Sequence, residues 1–192
     1  MRGALFHYVR LLLNGNRVLH EVKAALAARP EERVLDFGCG CGGFCLAVPG
    51  EYLGIDLNPN CIAFARWRWG RSSRRFELVE LEALDPHARF DGVMMVSCLH
   101  HLSDAEAHAV LGRLARIVRR RLVVVDLDPE SSNRFQAFLL AHDRGRFIRP
   151  AARQRELLGA HFMIAEERRF YTTTRSTPQT LFVCEPRPAA AT

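Results

Sequence analysis

The sequence predicts an α/β domain: a seven-stranded, mostly parallel sheet with an antiparallel terminal hairpin and helices on both faces. Three observations carry this. From residue 33 onward, strand-period and helix-period apolar patterns alternate. VMMVS and LVVVD are unbroken apolar runs, as expected of strands covered on both faces. The last two strand-like segments, HFMIAEERRFYTTT and TPQTLFVCEP, are joined by a polar turn. A parallel crossover needs roughly a dozen residues or more, so these two must pair antiparallel.

At 192 residues, the chain is long enough for one domain with a sizeable core and too short for two. Apolar residues make up 48% and charged residues 25%, an ordinary globular balance. No apolar run reaches the roughly 18 residues of a membrane span, so a soluble chain is expected. The six cysteines (Cys39, Cys41, Cys45, Cys61, Cys98, Cys184) fall mostly in apolar segments without the spacing of a disulfide framework or paired zinc site. A cytoplasmic protein without a bound metal follows. The net charge is +6, and Lys23 is the only lysine. Such an arginine bias suits anionic partners, but it reads first as the coding bias of a GC-rich genome.

Residues 1–30 read as an N-terminal helical cap, 31–186 as the α/β domain and 187–192 as a disordered tail. In the cap, Leu5, Val9, Leu12 and Leu13 share one helical face, with His7, Arg10 and Asn14 on another. His7, Tyr8 and Arg10 interrupt the apolar stretch and no small-residue cleavage site follows, which argues against a secretory signal. Strands are predicted near 33–37, 51–55, 75–80, 90–97 and 121–127. Asn58-Pro59 is an N-cap followed by proline at the first helical position, opening a helix to about Gly70. Ser103-Asp104-Ala105-Glu106 is a capping box, and Ala107, Val110, Leu111, Leu114, Ile117 and Val118 then mark one helical face. A helix near 131–142, the irregular DRGRFIRP and a helix near 151–159 precede the final hairpin.

The first strand runs into glycines as VLDFGCGCGG. Glycines there let a ligand approach the backbone closely before the chain turns into the next element. Gly38, Gly40 and Gly43 satisfy the dinucleotide pattern GxGxxG, with Asp56 as a possible ribose ligand. Asp36 argues against that reading, because a carboxylate beside the loop repels a pyrophosphate and favours a ligand bearing an ammonium group. S-adenosylmethionine has an ammonium, a sulfonium, a ribose diol and an adenine, and no phosphate.

With these residues in place, the sequence resembles the class I S-adenosylmethionine-dependent methyltransferases over most of its length. VLDFGCGCG is similar to their first motif, YLGIDLNP to the second, FELVELEAL to the third, FDGVMMVSCLHHL to the fourth, and RLVVVDLDP to the strand that follows. The resemblance implies a Rossmann-like fold and S-adenosylmethionine as cofactor. It implies that Asp36, Phe37, Gly38, Cys39, Gly40 and Ser97 line the site, that Asp56 takes both ribose hydroxyls, that Leu57 flanks the adenine, and that Glu80 and Leu81 lie at its edge. It departs from the family in having VRRR where many members carry Pro-Gly-Gly, and in a short first helix, GGFCLAVP.

The expected reaction is methyl transfer to a small-molecule acceptor, an in-line displacement that positioning alone can largely catalyse. A base is needed only where the nucleophile carries a proton. His100 and His101, after the fourth strand, are the candidate catalytic residues; the bland reading is that they cap backbone carbonyls. Cys98 reads as a small buried residue rather than a nucleophile. Tyr8, Arg10, Phe147 and Arg149 are the candidate acceptor contacts, suited to an aromatic or acyl body bearing an anion. RWRWGRSSRR would suit a nucleic acid, yet its place at a helix end favours a packed Trp69 among solvated arginines. The alternatives to a small acceptor are an RNA methyltransferase and a non-catalytic cofactor-binding partner subunit.

Overall fold

The computed structural model describes residues 16–129, 146–173 and 178–188. The expected helices near residue 5 and residues 131–142, with Tyr8 and Arg10, lie outside them. The chain runs α1 (Arg17–Leu26), β1 (Arg33–Phe37), a 3-10 turn (Gly43–Ala47), β2 (Glu51–Ile55), α2 (Pro59–Trp69), β3 (Arg74–Glu77), a 3-10 turn (Leu81–Ala83) and β4 (Phe90–Val96). A third 3-10 turn (Leu99–His101), α3 (Asp104–Ile117), β5 (Val118–Leu127), α4 (Ala151–Gly159), β6 (Phe162–Tyr171) and β7 (Pro178–Pro186) follow. All seven strands form one sheet in the order β3-β2-β1-β4-β5-β7-β6. The first five are parallel, and β7 is antiparallel to both β5 and β6.

The caps form as their sequences dictate. The Asn58 side chain accepts from the Asn60 and Cys61 N–H groups at 3.0 and 3.2 Å. At α3, Glu106 accepts from the Ser103 N–H at 2.8 Å, and the Glu106 N–H donates back to the Ser103 hydroxyl at 3.3 Å. Alternation along the strands then fills two layers. Met94, Val96, Val123 and Val125 pack with Val18 and Val22 of α1, whereas Val93, Met95, Leu122 and Val124 pack with Leu111 and Leu114 of α3.

Three departures have physical reasons. β3 ends at Glu77 rather than residue 80, because the chain then turns at Leu81–Ala83. β5 starts at Val118 directly after α3, so Val118 belongs to the strand and not to the helical face. The arginines of VRRR close that junction by capping α1: Arg120 Nη2 donates to the Leu26 carbonyl at 3.0 Å and Arg121 Nη1 to that of Ala25 at 2.7 Å. After the glycines, only a 3-10 turn forms in place of a full helix. The last strand, buried along most of its length, inserts between β5 and β6 and leaves the charged β6, with Glu166 and Arg169, at the sheet edge.

Candidate cofactor and active site

Strand order reverses between β1 and β4, and in such sheets the crevice outside the carboxyl ends at the reversal receives ligands. The predicted residues on β1, β2, β3 and β4 all come from those ends. After β1 the backbone is left-handed at Gly38 (φ 71°), Gly40 (φ 53°) and Gly42 (φ 78°). The third glycine that the turn requires is therefore Gly42 and not Gly43, so the GxGxxG reading yields to GxGxG. A Cβ on Gly38 would stand 2.5 Å from Cys98 Sγ, and one on Gly42 would stand 2.5 Å from the Phe76 ring. A Cβ on Gly40 would meet nothing within 4 Å. Packing thus explains two of the glycines, and the third faces open space where a ligand can approach.

Asp56, just past β2, braces this loop. One carboxylate oxygen accepts from the Gly40 N–H and the other from the Asn58 N–H, both at 2.8 Å. Leu57 is exposed beside it, and Glu80 is exposed after β3. Leu81 departs from expectation: its side chain lies in the core beneath the sheet, while its carbonyl accepts from Arg113 Nε at 3.1 Å. Cys39 also turns inward. Its N–H, like that of Gly38, donates to the Ile55 carbonyl at 3.0 Å, and its thiol is buried. Phe37 packs partly against the core on the α3 side.

Asp36 is only 1% exposed and accepts a 2.7 Å hydrogen bond from the Tyr52 hydroxyl on β2. Burial, then the Asp36 charge, pushes the Tyr52 hydroxyl well above its ordinary value. Burial likewise drives Cys39 far up, Cys45 to about 11 and Cys184 to about 12, from an ordinary 9.0. Above pH 9, the unfolded chain releases thiol protons that the folded chain keeps. Stability is full below that value and falls as pH rises toward 11 and beyond. Urea midpoints compared at about pH 8 and about pH 10.5 should show the decline; equal midpoints would contradict it.

Ser97, just past β4, is held in a left-handed conformation (φ 50°), its N–H donating to the Val125 carbonyl at 2.7 Å. A non-glycine residue held there is strained, a state that clusters at functional sites. Beyond it, His100 is 5% exposed. Its N–H donates to Asp126 at 3.0 Å, its ring Nδ1 pairs with the same carboxylate, and the Leu127 N–H donates to it at 2.7 Å. His101 is exposed, its ring centroid 4.2 Å from that of His100.

Arg149, expected to be open to an acceptor, is instead tied into the fold. It is 7% exposed, and its guanidinium donates to Asp104 at 2.8 Å and to the carbonyls of Leu99, Phe147 and Leu102 at 3.1, 2.9 and 2.6 Å. Those bonds fasten the turn that carries His100. Phe147 remains 39% exposed, and its N–H donates to the His100 carbonyl at 3.0 Å. In the arginine-rich stretch, Trp69 Nε1 donates to the Cys41 carbonyl at 3.1 Å beneath the Arg68 guanidinium, whereas Trp67 is 79% exposed. Sequence reasoning missed Tyr52 and Asp126; the signal for the second was an acid closing the apolar run LVVVD.

Residues 34–121 match a family of methyltransferase domains. Over that segment the chain is similar to the class I S-adenosylmethionine-dependent methyltransferases. The ubiquinone biosynthesis O-methyltransferase of Rhodopseudomonas palustris strain BisB5 is 26% identical to this chain over 155 residues, 70% of this chain and 60% of that one. The O-methyltransferase cnsE of Penicillium expansum is 30% identical over 59% of this chain and 44% of its own. The chain thus spans about three fifths of the length of the first of these relatives.

Among solved structures, magnesium protoporphyrin IX methyltransferase (ChlM) from Synechocystis PCC 6803 with bound SAH superposes with a TM-score of 0.70 at 22% identity. The match covers 91% of this chain and 84% of that one. A putative methyltransferase complexed with the Haloferax volcanii Trm112 activator superposes at 0.74 and 18% identity, over 97% and 98%. Among the described residues, no helix is long and apolar enough to cross a membrane, and no cluster of three metal-ligating side chains occurs.

Proposed function

We propose that the domain binds S-adenosylmethionine and transfers its methyl group to a hydroxyl oxygen of a small acceptor. The observation that carries the cofactor is the pairing of Gly40, open to the crevice, with Asp56, whose carboxylate braces the same turn. Each carboxylate oxygen retains acceptor capacity beyond its one backbone N–H, enough for two ribose hydroxyls. Asp36 and Asp56 both flank the loop, so a pyrophosphate would meet two negative charges, whereas an ammonium and a sulfonium are attracted by them. The buried Asp36 acts through its field and through the loop.

When bound, the cofactor supplies an electrophilic methyl carbon on a cationic sulfur. The chain holds the acceptor in line with that carbon, by the strained Ser97 just past β4 and the turn that follows, and shields it with Phe147. The small acceptor and the oxygen nucleophile are supported by two relatives whose names are O-methyltransferases. The experiment is calorimetry of the full chain with S-adenosylhomocysteine and with NAD. Heat with the first and none with the second is expected; the reverse would remove the cofactor reading.

A further inference from the structure

We infer that Cys41 and Cys61 are an oxidisable thiol pair: a peroxide joins them in a disulfide that staples the glycine loop to α2 and loosens the cofactor site. Cys41 stands between Gly40 and Gly42 of the loop, and Cys61 lies in the first turn of α2. Their Sγ atoms are 3.1 Å apart, although 20 residues separate them along the chain. A disulfide holds its sulfurs about 2.05 Å apart, so roughly 1 Å of approach completes the bond. Both side chains keep some surface, Cys41 at 7% and Cys61 at 6% exposed, whereas Cys45 and Cys184 are fully enclosed. Cys39 is the competing thiol. It faces Gly54 instead, where a Cβ would stand 2.9 Å from its Sγ, and burial, then the charges of Asp36 and Asp56, hold its proton far above the ordinary value. A thiol that keeps its proton is a poor nucleophile.

The first turn of a helix favours negative charge on a sulfur there, which makes Cys61 the attacking group. Having lost its proton to solvent, its sulfur attacks one oxygen of the peroxide. The O–O bond breaks, the departing oxygen is protonated to water, and Cys61 becomes a sulfenic acid. The Cys41 sulfur then attacks that sulfur. The S–S bond forms, the S–O bond breaks, and the oxygen leaves with the Cys41 proton as a second water. The electron pair lost by the two thiols is the pair that the peroxide gains.

The approach of the sulfurs has to be absorbed close to Cys41. The start of α2 is pinned by the Asn58 cap, the Cys41 carbonyl is held by Trp69 Nε1 at 3.1 Å, and Gly42 packs against the Phe76 ring. Gly40 has open space beside it, so the displacement passes there. Its N–H is then drawn off the Asp56 carboxylate that it reaches at 2.8 Å. The bond itself requires no cofactor, but its effect on the site rests on the methyl-transfer reading above.

The test treats the full chain with hydrogen peroxide in modest excess at neutral pH, blocks the remaining thiols and maps the peptides by mass. Cleavage at Arg33, Glu51 and Arg66 should give residues 34–51 joined to residues 52–66, with fragmentation placing the link at Cys41. Cys41→Ser and Cys61→Ser should each abolish the link. In calorimetry, S-adenosylhomocysteine should bind the oxidised chain about tenfold or more weakly than the reduced one, as when one hydrogen bond to a carboxylate is lost, and dithiothreitol should restore the affinity. A pair left reduced, or a link made through Cys39 or Cys45, would overturn the inference, and so would a Cys41–Cys61 link that leaves the affinity unchanged. No S-adenosylhomocysteine binding to the reduced chain defeats the methyl-transfer reading instead, and the linked peptide alone then decides whether the thiol pair stands.

Discussion

Asp56→Ala is expected to weaken S-adenosylhomocysteine binding at least about a hundredfold, because two hydrogen bonds from ribose hydroxyls to a charged acceptor contribute on the order of 1.5–3 kcal/mol each. The same change frees the Gly40 and Asn58 N–H groups, both held at 2.8 Å. The loop then loses its brace as well as its ligand contact. Asp56→Asn separates these effects. Its amide oxygen can still hold one N–H group, so the fold should recover more than the affinity does. Calorimetry reads the affinity and thermal melting the fold. Undiminished binding in Asp56→Ala would show that the ribose is held elsewhere.

Gly38→Ala should be a strongly destabilising substitution in the loop. At φ 71° an alanine is strained by about 1–2 kcal/mol. Its Cβ would also stand 2.5 Å from Cys98 Sγ, and overpacking of that kind costs about 1–3 kcal/mol. The sum, about 2–5 kcal/mol, is a large share of the roughly 5–15 kcal/mol that keeps a domain folded. Pairing it with Cys98→Ala removes the sulfur but leaves the left-handed backbone. The double variant should therefore regain part of the urea midpoint and not all of it. Full recovery would show that φ carries no cost, and no recovery would show that Cys98 is not the obstacle.

Much of the fold could be read directly because it rests on short-range regularities. VMMVS and LVVVD became β4 and β5 at the centre of the sheet, and the Asn58 and Ser103 caps opened the helices they announced. The insertion of β7 between β5 and β6 was also encoded, in the contrast between its apolar TLFVC and the EERR of its neighbour, though only pairing reveals which strand goes inside. Arg149 shows where reading along the chain misleads. An arginine near Phe147 in a loop suits an anionic acceptor, but this one is consumed by Asp104 and three carbonyls. Its sequence neighbourhood contains no trace of Asp104, Leu99 or Leu102.

By itself the sequence determined where most of the described strands and helices lie, which turn carries the glycines, and which acids stand at the strand ends. These depend on periodicity, caps and backbone freedom, all decided within a few residues of one another. The tertiary structure alone decided that Tyr52 holds Asp36, 16 residues away, that Asp126 holds His100 across 26, and that Arg149 reaches Leu99 across 50. Such contacts form only after the strand order has brought distant carboxyl ends together, because side-chain chemistry says what a group can bind and not which group will be beside it.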